Sequence, residues 1–324
     1  MRPFAYERAA TAEEALARCD EETRYLGGGT NLVDLMRLGV ERPARLVDVT
    51  RLPHDRIEER SSGALRIGAA VRNSDLTAHP AVRRHHPMLV QAVLSGASGQ
   101  IRNQATVGGN LLQRTRCSYF QDITKPCNKR EPGTGCPAID GEHHNLAILG
   151  HSESCVATHP SDMAVALAAL DATVLTRGRG GERAIPLADF HRLPGSHPER
   201  DTTLEPGELV TAVEVPPLAM PSRYRKVRER ASFAFALVSI AAAADVRDGV
   251  VRDCRIALGG VAHRPWRARR AEDHLRGRPL TRENLAGAAD QELAAAHPLR
   301  DNAYKLRLAR NLIVRTLLEL GERA

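Results

Sequence analysis

Along the chain, short apolar runs are separated by polar breaks, and no single period is repeated throughout. Thr11-Ala12-Glu13-Glu14 has the form of a capping box and predicts a helix through about Arg18. Arg24-Tyr25-Leu26 predicts a strand running into Gly27-Gly28-Gly29-Thr30-Asn31, then a helix over Leu32 to Leu38 that Gly39 closes. Leu46 to Val49 is the next predicted strand. Leu65 to Ala70 alternates and begins a second unit, with helices in parts of 73–79 and 82–95. Ser161 suits the N-cap of an apolar helix over Asp162 to Leu170. Gly178-Arg179-Gly180-Gly181 reads as a break between domains. Beyond it, Leu209 to Val215 predicts a strand, and Asp248-Gly249 predicts a hairpin between the apolar runs 236–246 and 250–261. Helices near 281–296 and 302–320 complete the pattern.

One segment departs from this pattern. Positions 114–144 show no apolar period and are rich in Arg, Lys, Pro, Gly and Cys; regular structure is expected to resume at Asn145 to Leu149. A structureless stretch of that length inside a domain is functional or is held by something. Cys117, Cys127, Cys136 and Cys155 crowd into and just beyond it, whereas Cys19 and Cys254 stand alone. The intervals of 10, 9 and 19 residues contain no C-x-x-C pair, which structural zinc sites commonly use. Four thiolates suit either zinc or a [4Fe–4S] cluster, and unrelated buried cysteines are the third reading. Arg114, Arg116, Lys125, Lys129 and Arg130 would offset the negative charge of a thiolate-bound cluster. His143, His144, His151 and His159 are expected at the surface or behind the cysteines, not as ligands.

Composition narrows the class. A chain of 324 residues can bury a large core and divide into two or three domains. Net charge of +7 raises the question of nucleic acid, but the basic residues are scattered among acids and aromatics are 3%, so no nucleic-acid partner is expected. No run of 18 apolar residues occurs, which predicts no membrane insertion. Met1 to Arg8 holds no apolar signal core, so no signal peptide is expected. The expected location is the cytoplasm, or the periplasm if a signal-bearing partner carries the chain across. No acid pair or Ser/His/Asp set stands out for hydrolysis.

Two glycine loops supply the remaining chemistry. Gly27 to Asn31 lies between a predicted strand and helix, where glycine lets backbone approach a ligand and successive N–H groups bind phosphate. It matches neither G-x-G-x-x-G nor a Walker loop. Thr106-Val107-Gly108-Gly109-Asn110 is a second loop of the same size. At Pro160-Ser161-Asp162, Ser161 or Asp162 could take a ribityl or ribose hydroxyl, although an acid in a first helical turn is favoured by the dipole alone.

Together, Tyr25 to Leu32, Ile101 to Leu111 and Pro160-Ser161-Asp162 resemble the FAD-binding subunits of the molybdenum hydroxylases, the xanthine dehydrogenase and carbon monoxide dehydrogenase medium-subunit family. The resemblance covers essentially the whole chain. It implies an α+β fold: a vanillyl-alcohol-oxidase (PCMH)-type FAD-binding domain of two subdomains, 1–54 and 55–180, then a C-terminal sheet-and-helix domain over 183–324. It implies FAD contacts from Leu26, Gly27, Gly28, Gly29, Thr30, Asn31 and Leu32, from Ile101, Ala105, Thr106, Gly108, Gly109 and Asn110, and from Ser161, Asp162 and Lys226. The pyrophosphate is expected on both glycine loops. No catalytic residue beyond the flavin is expected, because an aldehyde would be hydroxylated on a large molybdenum-cofactor subunit. A small [2Fe–2S] subunit would relay electrons to this FAD, and an external acceptor would take them. The loop 114–155 is similar to that of the periplasmic aldehyde oxidoreductase branch, which implies a [4Fe–4S] cluster on Cys117, Cys127, Cys136 and Cys155. A flavin subunit like that of 4-hydroxybenzoyl-CoA reductase, and a stand-alone FAD oxidase with a structural zinc loop, are the alternatives.

Overall fold

The computed structural model describes residues 1–322, and among these residues three sheets organise the chain. The first unit runs β1 (Ala5–Arg8), α1 (Ala12–Arg18), β2 (Thr23–Leu26), α2 (Leu32–Arg37) and β3 (Arg45–Asp48). Its strands pair in parallel in the order β1-β3-β2, so each helix is a crossover. Thr11 Oγ1 accepts from Glu14 N at 3.2 Å, the first half of the predicted capping box, while the Glu14 carboxylate accepts from Ala10 N at 2.9 Å, one residue before the Thr11 amide that the motif uses. Ala12, Ala15 and Leu16 bury against Val47 and Leu52.

The second unit adds β4 (Ile57–Glu59), β5 (Leu65–Gly68), α3 (Asn73–Ala78), α4 (Pro80–His85), α5 (Pro87–Ser95), α6 (Gly99–Gln104), α7 (Val107–Leu111), α8 (Ser118–Gln121), α9 (Asp162–Ala169), β6 (Thr173–Gly178), β7 (Gly181–Pro186), α10 (Leu187–Phe190) and β8 (Leu209–Val215). Its antiparallel sheet has the order β4-β5-β8-β6-β7. Two sequence expectations change here. Gly178 and Gly181 face each other across the tip of the β6–β7 hairpin, so this glycine-rich turn is not a break between domains. The chain then returns through β8, which lies between β5 and β6, because Val210, Val213 and Val215 complete the core of that sheet. Every residue of α9 is buried, as its apolar sequence requires. It packs against α5 on one side and the third sheet on the other.

The third unit comprises β9 (Ser222–Val227), β10 (Val238–Arg247), β11 (Val250–Gly259), β12 (Trp266–Arg267), α11 (Arg269–Leu275), α12 (Arg282–Leu293) and α13 (Tyr304–Gly321). The strands are antiparallel in the order β12-β11-β10-β9, and the three helices cover one face. Asp248 and Gly249 turn the β10–β11 hairpin with φ of 53° and 72°, the left-handed pair such a turn requires. Expected regular structure at 145–149 is reduced to a single bridge, Leu149 to Ala262, although Ile148 and Leu149 do bury in the third core. No helix among the described residues is long and apolar enough to cross a membrane.

Candidate functional site

The two glycine stretches meet face to face. A Cβ on Gly28 would run into the carbonyl oxygen of Gln104 and lie 2.9 Å from Ala105 Cα, so only glycine allows this backbone contact. A Cβ on Gly27 would stand 2.8 Å from Thr106 Oγ1. The second stretch is helical, not a loop: Thr106 caps α7, accepting from Gly109 N at 3.2 Å. Its other amides are also engaged. Val107 N donates to Val71 O at 3.0 Å, Gly108 N to Ala69 O at 2.9 Å and Asn110 N to Thr106 O at 2.8 Å. By contrast, the amides of Gly28, Gly29, Thr30 and Asn31 donate to no acceptor among the described residues. Thus the first loop offers a row of free donors, and the second acts as the wall behind it.

A groove extends from this junction in three lobes. The first, about 290 Å³, is lined by Gly27 to Leu32 with Thr106, Gly108 and Gly109. The second, about 470 Å³, shares Thr30, Asn31 and Gly109 with the first and adds Ile101, Ala105, Asn110, Asp162 and Lys226. The third, about 470 Å³, includes Ser161 and passes between the Phe233–Leu237 segment and Gly259–Gly260. All the expected flavin contacts therefore line the groove except Leu26, which packs behind Gly29.

Between the second and third lobes, Asp162 is tied to the third unit. Lys226 Nζ donates to Asp162 Oδ2 at 2.7 Å and to Ser95 O at 3.1 Å, and the Tyr224 hydroxyl donates to Asp162 Oδ1 at 2.5 Å. The pair is buried, with side chains 3% and 8% exposed. Burial and the neighbouring carboxylate push the Tyr224 hydroxyl well above its ordinary pKa. Ser161 Oγ donates to Asn110 Oδ1 at 2.6 Å and caps α9 by accepting from Ala164 N at 3.0 Å. No local pattern marked Asn73, or Arg116, as a groove residue. Asn31 Nδ2, Asn73 Oδ1 and Arg116 Nε are buried along the groove without a partner. Two donors and an acceptor left open beside free amides suit a long polar ligand such as FAD, because buried polar atoms otherwise find partners.

The four cysteines also come together. Cys117, Cys127, Cys136 and Cys155 line one small cavity with Lys129. All four are free thiols; three are buried and Cys136 half-buried. Burial pushes the Cys117 thiol up to about 11 and the Cys155 thiol up to about 12. Among the described residues, no three His, Cys, Asp or Glu side chains are placed to share a single metal ion. Polar side chains in the segment serve its irregular backbone. Asn128 donates to Ser154 O at 3.0 Å and accepts from Gly133 N and Gly135 N at 3.1 and 2.7 Å. Arg130 donates to the carbonyls of Tyr119 and Phe120, both at 2.8 Å. His144 and His151 are exposed or half-exposed, as expected for surface residues. His143 is buried instead, accepting from Asp301 N at 3.0 Å, and His159 packs on His191 with ring centroids 4.3 Å apart.

Residues 2–218 match the family model for the FAD binding domain in molybdopterin dehydrogenase, and residues 222–320 match that for the CO dehydrogenase flavoprotein C-terminal domain. The aldehyde oxidoreductase FAD-binding subunit PaoB of Escherichia coli (strain K12) is 50% identical over 100% of both chains. The glyceraldehyde dehydrogenase medium chain of Sulfolobus acidocaldarius is 28% identical over 92% of this chain and 90% of its own. Among solved structures, carbon monoxide dehydrogenase from Hydrogenophaga pseudoflava lacking the Mo-pyranopterin moiety superposes with a TM-score of 0.78 at 26% identity, covering 100% of this chain and 99% of the other.

Proposed function

The chain belongs to the FAD-binding subunits of the molybdenum hydroxylase family, and from that premise we propose that it is the FAD- and [4Fe–4S]-bearing electron-transfer subunit of a heterotrimeric aldehyde oxidoreductase. In that assembly it passes electrons from a large molybdenum-cofactor subunit and a small [2Fe–2S] subunit to an external acceptor. The relative that shares half its residues is an aldehyde oxidoreductase flavin subunit, which favours an aldehyde. The observation that carries the cluster is the gathering of all four loop cysteines around one cavity. The cysteine spacing contains no C-x-x-C pair, which structural zinc sites commonly use, and that favours a [4Fe–4S] cluster over zinc.

FAD, when bound, supplies the redox chemistry. The chain's residues hold and orient it. The free amides of Gly28 to Asn31 receive the pyrophosphate, α7 supports that loop from behind, and Ser161, Asp162 and Lys226 position the part of the flavin beyond it. Asp162 keeps lone pairs for a ligand hydroxyl after accepting from Lys226 and Tyr224. We read the junction with the C-terminal unit as lying between Val215 and Ser222, a reading supported by the end of β8 and the start of β9 there. The acceptor is read as a quinone, a protein carrier or dioxygen rather than NAD.

An absorption spectrum of anaerobically purified protein, with iron, sulfide and zinc analysis, tests the cofactor set. Flavin bands over a broad iron–sulfur absorbance are expected; stoichiometric zinc without iron and sulfide would refute the cluster. Aldehyde turnover is expected from the assembled trimer and not from this chain alone. NAD reduction by the trimer at rates matching artificial dyes would overturn the acceptor reading.

A further inference from the structure

Resting on the reading that the four cysteines hold an iron–sulfur cluster, we propose that Lys129 and Asp201 tune the reduction potential of that cluster as an opposed pair of charges, a buried Lys129 raising it and a half-buried Asp201 lowering it. Lys129 follows Cys127 by two residues, and its side chain is 1% exposed. It is the one charged side chain that lines the cavity shared by the four cysteines, among the described residues. Its ammonium is fixed by Pro198 O and Asp201 Oδ1, both at 2.6 Å. Asp201 does not line that cavity; it stands behind the lysine and accepts from Arg114 Nε at 2.9 Å. Arg114 in turn donates to Glu41 at 2.6 Å, and both Arg114 and Glu41 line the first lobe of the flavin groove. A row of alternating charges therefore runs from the cysteine cavity to the groove.

The physics fixes the signs. Adding an electron makes a thiolate-ligated cluster more negative, so a nearby cation favours the reduced form and raises the potential, and an anion lowers it. The effect of Lys129 is the larger because its side chain is 1% exposed and little screened by water, whereas Asp201, 29% exposed, is partly screened and acts more weakly. Lys129 is the nearer of the two and dominates. Asp201 makes its burial tolerable, since a lone buried ammonium would shed its proton or unfold the loop. Neither residue ligates, so both act by position and charge.

The test is a redox titration, followed by EPR, of the full-length chain prepared anaerobically. Wild type is compared with K129M, K129R, D201N and the double variant K129M/D201N, with iron measured in each. K129M is expected to lower the midpoint potential and D201N to raise it; K129R should stay near wild type and the double variant should fall between the singles. A purely structural role for the pair would not give opposite shifts. Unmoved potentials, or shifts of one sign, in iron-loaded K129M and D201N would overturn the proposal. If K129M loses its iron, D201N decides alone: a raised potential supports the proposal and an unchanged or lowered one refutes it. Absence of iron from the wild-type chain would instead refute the cluster reading and this inference with it.

Discussion

The glycine loop Gly27–Asn31 and the cysteine segment 114–157 are both irregular backbone, yet they are held by different means. The glycine loop leaves a parallel strand and enters a helix, and its backbone fits against that of Gln104 and Ala105 with no room for a side chain. Its geometry is set by the sheets on either side and exists before any ligand arrives. The cysteine segment has one four-residue helix, α8, and a small core of Leu35, Phe120, Leu146 and Val156 around the thiols. Its carbonyls and amides are satisfied one at a time by side chains such as Asn128 and Arg130. The first site is preformed by packing. The second is assembled around its centre, so losing the centre should damage it and leave the groove intact.

Cys117→Ser tests that separation most severely. Iron should fall to near background and the 114–157 segment should become the preferred site of limited proteolysis, while flavin content stays near wild type. Equal loss of flavin would show that the two sites are one cooperative unit. Lys226→Met is next in size. It leaves Asp162 buried without its cation, which costs about 3 kcal/mol or more in such pairs. Denaturant unfolding should show that loss, with weaker flavin retention on gel filtration.

Gly28→Ala should destabilise by about 2 kcal/mol, because an added methyl forces the two backbones apart. Flavin occupancy, read from the absorbance ratio, should drop with it. Gly109→Ala should be milder, since its Cβ would stand 3.1 Å from a single side-chain atom, Thr106 Oγ1. Equal damage at both positions would break the account of a donor loop backed by a wall.

The smallest effect concerns the join between the cysteine segment and the third unit. Lys305 is fully buried, donates to Leu146 O at 3.0 Å and Gly260 O at 2.7 Å, and burial pulls its pKa down to about 7. In the unfolded chain the value is about 10.4, so between the two the unfolded state binds more protons and stability rises with pH. The penalty for burying the ammonium is fully present below about 7 and fades as pH climbs. The slope from this group is about 1.4 kcal/mol per pH unit at most. Cysteine thiols raised by burial act in the opposite direction in metal-free protein, so the difference between wild type and Lys305→Met is the quantity to measure. A pH-independent difference from 7 to 10 would show that Lys305 stays charged.

Much of the fold was legible wherever the signal is local. Thr11 with Glu14 announced α1, Ser161 announced α9, and Asp248-Gly249 announced the β10–β11 turn, because caps and turns depend on residues a few positions apart. The same locality misled at Gly178–Gly181, where a hairpin tip and a linker have the same composition. It also misled at 106–110: consecutive glycines are poor helix formers, and α7 starts there only because the Val107 and Gly108 amides bond to Val71 and Ala69. Strands β6 and β7 went unread. β7 exposes all but one of its residues and carries no apolar alternation.

The sequence by itself determined which chemistry is present: a glycine-rich turn after a strand, a capped apolar helix beginning Ser161-Asp162, and four cysteines packed into an aperiodic stretch. It could do so because residue type and short spacing are properties of the chain. Only the tertiary structure decided that the amides of Gly28 to Asn31 are free while those of Val107 to Asn110 are engaged. Only it brought Lys226 across to Asp162, 64 positions away, and Asp201 to Lys129, 72 positions away. Such contacts form when separate sheets pack, and the charges involved are stable in the interior only because folding delivers each one its partner.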